Sequence, residues 1–252
     1  MKIAIVGYGR MGHEVEKAAA MQGHEVVCHI DVDNRHDFDS QAFLTADAAI
    51  EFSRPDAAFA NVTACLTRGI PTVSGTTGWS DRFAEIDALV AAKGVPMVWA
   101  SNYSIGVNIF MMINRYAARL LGRTGLYTPS MEEVHHIHKL DHPSGTAITL
   151  AEGILAEDKR YTGWHDTLDT DKVEVADGLT LPITPRREGE VPGTHIIRWD
   201  SMADTITLEH RAKGRLGFAM GAVSAAEWLT AEHREPKRYS MSEVLKSELE
   251  ND

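Results

Sequence analysis

The segment that most narrows the folds open to this chain is Gly7-Tyr8-Gly9-Arg10-Met11-Gly12, set between a β-branched run and a helical pattern. Residues 2–6 (Lys2-Ile3-Ala4-Ile5-Val6) read as a strand buried on both faces. From Met11 an apolar pattern of helical period continues to about residue 22, where Gly23 stops it. Residues 25–30 are again strand-like and end in Asp31, about twenty residues beyond the glycines. A glycine triplet alone says little. Strand, tight turn, helix, strand and acid in this order form a dinucleotide cradle. The first glycine makes the turn, the second lets a pyrophosphate approach the backbone, and the third packs helix on strand, while the acid takes ribose hydroxyls. Asp33 is placed to share that last task, and an acid there favours NADH over NADPH by repelling a 2′-phosphate. Arg35 is close enough to offset part of that preference.

The alternation continues. Residues 48–53 read as a strand, and Pro55 opens a helix to about residue 68. Residues 71–74 form the next strand, followed by Gly75-Thr76-Thr77-Gly78 and by a helix to about residue 93 with Ser80 as its N-cap. A strand over 95–100 leads into Ser101-Asn102-Tyr103-Ser104. Strands and helices taking turns imply a parallel sheet with right-handed crossovers, and ligands in such sheets sit at the carboxyl ends of the strands. The loops after Val6, Ser74 and Ala100 are therefore expected to face the cofactor.

Beyond residue 107 the pattern changes. A helix over 107–121 precedes strands expected at 130–136, 173–176, 194–200 and 205–210, interrupted by a helix over 146–157. The stretch 184–193 reads as a loop rich in Gly, Pro and charge. A small-residue helix over 218–230 and a short last helix capped by Ser242 return the chain to the first domain. The expected architecture is α/β: a Rossmann-type domain from residues 1–104 and 217–252, and an α+β domain over 105–216 on a mostly antiparallel sheet.

A formal charge of -11 without a basic stripe argues against a nucleic-acid partner. Cys28 and Cys65 have neither metal nor redox spacing and read as packing residues. The opening apolar run passes straight into the glycine loop, so it is read as structure and not as a secretory signal. No run approaches transmembrane length, and a cytoplasmic protein is expected.

The chemistry concentrates between Glu132 and Ala147, where His135, His136, His138 and His142 accompany Lys139 and Ser144-Gly145-Thr146. Pro143 and Gly145 work against a helix through this run, and adjacent histidines on a strand face opposite ways, so a metal site is not expected. His138 and His142 read as surface or satisfied residues. Imidazoles exchange protons near neutral pH, a lysine brings charge, and Ser144 capping a new helix leaves N–H groups for a carboxylate. A Schiff-base lysine is the less favoured alternative, because a dicarboxylate beside Lys139 would hold it charged.

These residues carry a resemblance to the 4-hydroxy-tetrahydrodipicolinate reductase (dihydrodipicolinate reductase) family across nearly the whole chain. The resemblance covers the glycine loop, Gly75-Thr76-Thr77-Gly78 and Ser101-Asn102-Tyr103-Ser104-Ile105-Gly106-Val107-Asn108. It continues through Glu133-x-His135-His136-x-x-Lys139-x-Asp141-x-Pro143-Ser144-Gly145-Thr146-Ala147, Arg187-Glu188-Gly189 to His195, and Glu209 to Ala219. It implies NADH- or NADPH-dependent reduction of a cyclic dicarboxylate imine in lysine and diaminopimelate synthesis, with nicotinamide and substrate meeting between the domains. His135 would protonate the enamine carbon, Lys139 would be a second donor and charge partner, and His136, Ser144, Gly145 and Thr146 would hold the carboxylates. Cofactor contacts would fall on Gly7, Tyr8, Gly9, Arg10, Met11, Gly12, Asp31, Gly75, Thr76, Thr77, Ala100, Ser101, Asn102 and Tyr103. A homotetramer built through the second domain's sheet is implied as well.

The chain departs from the family pattern in three places. Its glycine loop is one residue shorter than Gly-x-Gly-Gly-Arg-Met-Gly, Val32 replaces a frequent arginine, and His142 stands where alanine is usual. Loss of that arginine again favours NADH. Another two-domain dehydrogenase lacks a reason for the histidine–lysine–SGTA string, and a non-catalytic dinucleotide sensor has no need of His135 and Lys139 together.

Overall fold

A computed structural model describes residues 1–168 and 178–249. Two compact units are present, Met1–Asn108 with Arg215–Asp252, and Ile109–Gly214. The strand expected over 173–176 lies outside the described residues.

The first unit opens with β1 (Lys2–Val6), α1 (Arg10–Met21) and β2 (Glu25–Ile30). There follow α2 (Gln41–Leu44), β3 (Ala48–Glu51), α3 (Pro55–Thr67), β4 (Thr72–Ser74), α4 (Phe83–Lys93) and β5 (Met97–Trp99). Period-two alternation sends Ile3 and Ile5 into one buried cluster with Val15, Ala18 and Ala19 of α1. It sends Ala4 and Val6 into another, with Ile30, Phe43 and Cys65. A sheet covered on both sides explains why its strands are apolar throughout, each buried Ile or Val contributing about 1.5–3 kcal/mol.

Helix α5 (Ile105–Thr124) carries the chain into the second unit. There β6 (Thr128–His135), α6 (Gly145–Glu157), β7 (Tyr161–Asp166), β8 (Leu179–Arg187), β9 (Thr194–Asp200) and β10 (Thr205–Arg211) follow. The sheet order is β10-β9-β6-β8-β7. β9 pairs antiparallel with both β10 and β6, whereas β8 pairs parallel with both β6 and β7, so the sheet is mixed. One face packs Met131, Leu181, Ile183, Ile197 and Trp199 against Ala118 of α5 and Leu150, Ala151 and Ile154 of α6. Toward the carboxyl end of β6 that face changes character. Glu133 and His135 share it with Met131 by strand alternation, and there the apolar core gives way to ionisable groups.

The chain then returns to the first unit with α7 (Leu216–Ala231), β11 (Arg238–Tyr239) and α8 (Met241–Leu249). The first sheet runs β11-β5-β4-β3-β1-β2 with every pairing parallel. Ala219, Ala222, Ala225 and Ala226 let α7 lie flush on that sheet. At Gly221 an added Cβ would fall 1.8 Å from the Tyr103 carbonyl oxygen, so only glycine fits there. Among the described residues no helix is long and apolar enough to cross a membrane.

Three local expectations need correction. Ser80 does not cap a helix: a 3₁₀ turn (Ser80–Arg82) intervenes and α4 starts at Phe83. The buried Trp79 indole, donating to the Thr76 carbonyl at 2.7 Å, holds the chain in that turn. The last helix is capped by Ser240, not Ser242. Glu243 N donates to Ser240 Oγ at 3.3 Å and Ser240 N donates to Glu243 Oε2 at 2.8 Å, a reciprocal capping box. Finally, 184–187 belong to β8 and not to a loop, because the inward alternation Leu181, Ile183, Pro185 outweighs the prolines.

A buried carboxylate ties the strand ends of the first unit together. Glu51, fully buried at the end of β3, accepts from Ser53 N at 3.0 Å, Ser74 Oγ at 2.6 Å, Thr76 Oγ1 at 2.8 Å and also from Ser53 Oγ. Tyr103, in the loop after β5, adds a further tie, its single hydroxyl proton shared between the carbonyls of Ser74 (2.9 Å) and Val98 (3.1 Å). Burial lifts the Glu51 carboxyl above its ordinary value of 4.5, against the pull of these hydrogen bonds. A raised value means the fold favours the protonated form. Its contribution is complete below 4.5 and is lost as pH rises through the folded value. In thermal unfolding, Glu51→Gln should therefore gain melting temperature relative to the wild type as pH rises above that range. A difference that is flat or falls with pH contradicts the assignment.

Candidate active site

In the first unit the glycine loop is shaped as its sequence requires. Gly7 has φ +89°, and a Cβ there would fall 2.2 Å from the Phe52 carbonyl oxygen. A Cβ on Gly12 would meet the Gly7 carbonyl oxygen at 2.5 Å, so this glycine is what lets α1 approach β1. Gly9 faces open space, and as N-cap of α1 it leaves the helix start without a side-chain cap. Uncapped N–H groups beside an open glycine form a ready anion site.

Two clefts flank the loop at the carboxyl ends of the strands. One, of about 190 Å³, is lined by Gly7, Gly9, Asp31, Val32, Arg35 and Arg54 among others. The other, of about 310 Å³, includes Gly9, Arg10, Met11, Gly75, Thr76 and Thr77. Asp31 is exposed, and its oxygens accept from Tyr8 N at 2.9 Å and Val32 N at 2.8 Å, tying the loop after β2 to the glycine loop. An ionised carboxylate has about four acceptor positions, so Asp31 keeps capacity for ribose hydroxyls. The open glycine, bare helix start, acid and clefts fit a dinucleotide.

The other expected cofactor residues differ in what they offer. Tyr8 packs against the tilted rings of His13 and His29, with centroids at 4.1 and 3.9 Å, and donates to Glu16, so its side chain stiffens the loop. Gly75 has no room for a side chain, since a Cβ would fall 2.0 Å from the Phe52 ring. Thr76 spends its hydroxyl on Glu51, while Thr77 is exposed. Ala100 is buried, Ser101 exposed, and Asn102 accepts from Ser104 N at 2.9 Å. Tyr103 is 1% exposed with its hydroxyl spent, which leaves only its main chain for a ligand. Sequence reasoning missed Phe52 and Arg54, whose proximity depends on the order of strands.

In the second unit the ionisable cluster is set by register. Glu133 on β6 lies opposite His195 on β9, and His135 lies opposite Arg187 on β8. Glu133 is fully buried; one oxygen meets His135 Nδ1 and the other accepts from Arg187 Nη1 at 3.1 Å. Burial pushes the Glu133 carboxyl up, but hydrogen bonds and charge from His135 and Arg187 overcome it and hold it below its ordinary value. Glu133 is thus an anionic acceptor, His135 Nδ1 must donate to it, and Nε2 is left for other chemistry. Gly193 presents bare backbone to that ring. With φ +152°, its Cβ position lies 3.1 Å from His135 Nε2.

His195 stands edge-on to His135 with ring centroids 5.3 Å apart. Burial, aided by repulsion from His135, pushes it down to about 3, so it is neutral. Its Nε2 meets Ser144 Oγ at 3.1 Å, and the same oxygen accepts from Ala147 N at 3.2 Å as the N-cap of α6. Ser144 is therefore committed to holding the helix start, while Gly145 is exposed and Thr146 half-buried beside it. Lys139 donates to both oxygens of Asp141, at 2.7 and 2.6 Å, and its charge also acts on His195. His136 is half-buried, with an Nδ1 that has no partner among the described residues. His142, given no function from sequence, meets Asp166, the last residue of β7, at 2.5 Å.

Glu133, His135 and His195 bring ligand-type atoms within 4.8 Å of one another. Arg187 and His135 already occupy the carboxylate and Ser144 meets His195 Nε2, so the cluster is organised around protons. A buried acid fixing an imidazole, a helix start and a lysine together form a site that can hold an anion and protonate it.

Two family models match the chain, "Dihydrodipicolinate reductase, N-terminus" over residues 1–103 and "Dihydrodipicolinate reductase, C-terminus" over residues 106–245. The chain is 43% identical over 230 residues to a 4-hydroxy-tetrahydrodipicolinate reductase of Christiangramia forsetii, covering 91% of this chain and 92% of that protein. It is 35% identical over 262 residues to the protein of that name from Archaeoglobus fulgidus, covering 97% and 100%. Among solved structures, a dipicolinate-bound dihydrodipicolinate reductase from Paenisporosarcina sp. TG-14 has the same fold, with TM-score 0.74 at 21% identity over 95% and 97% of the two chains.

The neutral His195 has a consequence for stability. A histidine whose folded value lies below its ordinary 6.5 contributes fully above 6.5, and the contribution is lost as pH falls toward about 3. The wild type should lose up to about 1.4 kcal/mol per pH unit from this group across that window. Urea unfolding at neutral pH and at about pH 4.5 should show a smaller loss in His195→Gln. An equal loss in both proteins contradicts the assignment.

Proposed function

The chain belongs to the dihydrodipicolinate reductase family, and from that membership we propose that it reduces 4-hydroxy-tetrahydrodipicolinate to tetrahydrodipicolinate with loss of water. The chain is an oxidoreductase of lysine and diaminopimelate biosynthesis, and its cofactor is a nicotinamide dinucleotide. The observation that carries the site reading is the buried Glu133–His135 pair beside the Ser144-capped helix start and Lys139.

Residues 1–104 and 217–252 hold the dinucleotide, with the pyrophosphate on the Gly7–Gly12 loop and ribose hydroxyls on Asp31. Ala100, Ser101, Asn102 and Tyr103 contribute from the loop after β5, and Gly75, Thr76 and Thr77 from the loop after β4. Bound there, the nicotinamide supplies a hydride. Residues 105–216 hold the substrate, whose 4-hydroxyl leaves as water to give a conjugated imine. His136, Gly145 and Thr146, at the helix start that Ser144 caps, fix its carboxylates, and their orientation is worth several powers of ten in rate when well aligned. His135 delivers the proton to the enamine carbon from Nε2, while Glu133 stabilises the imidazolium before transfer. Lys139 exchanges Asp141 for a substrate carboxylate.

Asp31 followed by Val32 favours NADH over NADPH, although Arg35 and Arg54 line the same cleft. Membership of the family supports a cytoplasmic homotetramer assembled through the sheet of the second unit. Exposed Ile113, Tyr116 and Leu120 on α5 and Ile206 on β10 support association there.

With substrate generated in situ from pyruvate and aspartate semialdehyde, nicotinamide absorbance should fall with either dinucleotide, faster with NADH. No oxidation of either would remove the proposal. His135→Gln should lower kcat by about 10²–10⁴ while leaving NADH affinity near the wild type. Undiminished turnover would take the proton-donor role from His135. Lys139→Ala should raise the substrate KM as well as lower kcat, and an unchanged KM would argue against carboxylate pairing.

A further inference from the structure

We infer that Arg187 is a positioning residue that locks the two proposed catalytic groups, His135 and Lys139, into one arrangement. The inference rests on the roles proposed above for those two residues. Arg187 is the last residue of β8 and lies opposite His135 in register. Its guanidinium donates in three directions. Nη1 reaches Glu133 Oε1 at 3.1 Å and the Arg186 carbonyl at 2.7 Å. Nε reaches the Lys139 carbonyl at 3.1 Å, and Nη2 reaches the Asp141 carbonyl at 2.7 Å.

One rigid fork therefore joins two otherwise separate structures. The first is the buried Glu133 carboxylate, which fixes the His135 ring through Nδ1. The second is the segment after β6 that carries Lys139, which lies outside helix and strand. That segment has few other backbone ties: Ile137 N to the Gly189 carbonyl and Lys139 N to the His136 carbonyl, both at 3.1 Å. Neither relates the Lys139–Asp141 backbone to Glu133. Arg187 does both jobs because its donors are coplanar and diverge, and because its permanent charge keeps Glu133 an acceptor. Lysine at this place would keep the charge yet could not span Glu133 and two carbonyls.

The test uses the full-length enzyme in steady-state kinetics, with folding checked by circular dichroism and NADH affinity by fluorescence titration. Arg187→Lys should raise the substrate KM and lower kcat, each about tenfold or more, with NADH affinity unchanged. Added to Lys139→Ala it should raise KM little further, because both changes remove the same placed ammonium group. Arg187→Met, which also removes the charge beside Glu133, should cost more kcat than Arg187→Lys. It should add little to His135→Gln. A folded Arg187→Lys enzyme with wild-type KM and kcat overturns the inference, as does full additivity with both Lys139→Ala and His135→Gln. Should the Arg187 variants not fold, Glu133→Gln decides through KM, since it cuts the same brace from the other side: a raised substrate KM that adds little to Lys139→Ala supports the brace, and a wild-type KM overturns it. Unimpaired His135→Gln and Lys139→Ala enzymes would instead defeat the functional reading on which the inference stands.

Discussion

A carboxylate sealed from water must be matched by donors and positive charge, or it loses its own charge. At Glu133 that demand organises the second unit around the site. The strand direction of β6 sets His135 two residues on and on the same face, close enough to donate through Nδ1. Register with β8 brings Arg187 to the other oxygen, and register with β9 places His195 opposite. The apolar part of that face, from Met131 to Trp199, supplies the rigid support on which this polar end is held.

The first unit answers the same demand differently. Glu51 is as deeply buried as Glu133, but its partners are hydroxyls and one backbone N–H, with no cation among its bonded partners. Burial therefore wins and its carboxyl is pushed up, whereas at Glu133 charged partners win and the carboxyl is held down. The same side chain thus serves as a knot between strand ends in one unit and as an anionic anchor for an imidazole in the other. What separates the two roles is the charged partners, His135 first and Arg187 with it, that Glu133 has and Glu51 lacks.

Much of the fold was legible because local patterns and tertiary structure agree. The order around Gly7–Gly12 and the β-branched runs of β1 and β2 each admit one reading, and Ser144 ahead of Gly145 marked the start of α6 correctly. The sequence misled where a tertiary contact overrides a local signal. Trp79 docking delays α4 past Ser80, and the buried alternation of Leu181 and Ile183 draws two prolines into β8. In the site, His135, Lys139 and Ser144 stood out by residue type and spacing. Arg187 and His195 lie more than fifty residues from Glu133, and only the pairing of β6 with β8 and β9 brings them in. Glu51 showed no sign of its role, because two of the hydroxyls around it, Ser74 and Thr76, come from the next strand and its loop and reach it only through the pairing of β3 with β4.

Gly193 constrains how such a centre can drift over generations. Its main chain lies against the imidazole of His135, at a backbone angle that side chains rarely adopt. Every missense change at that codon brings in a carbon 3.1 Å from the ring at a strained backbone angle, so a new neighbour for the ring can be recruited from this wall only if ring or strand gives way. Diversification of the pocket is thereby channelled to its remaining rim, and the imidazole keeps the same bare peptide beside it in any descendant that retains the chemistry.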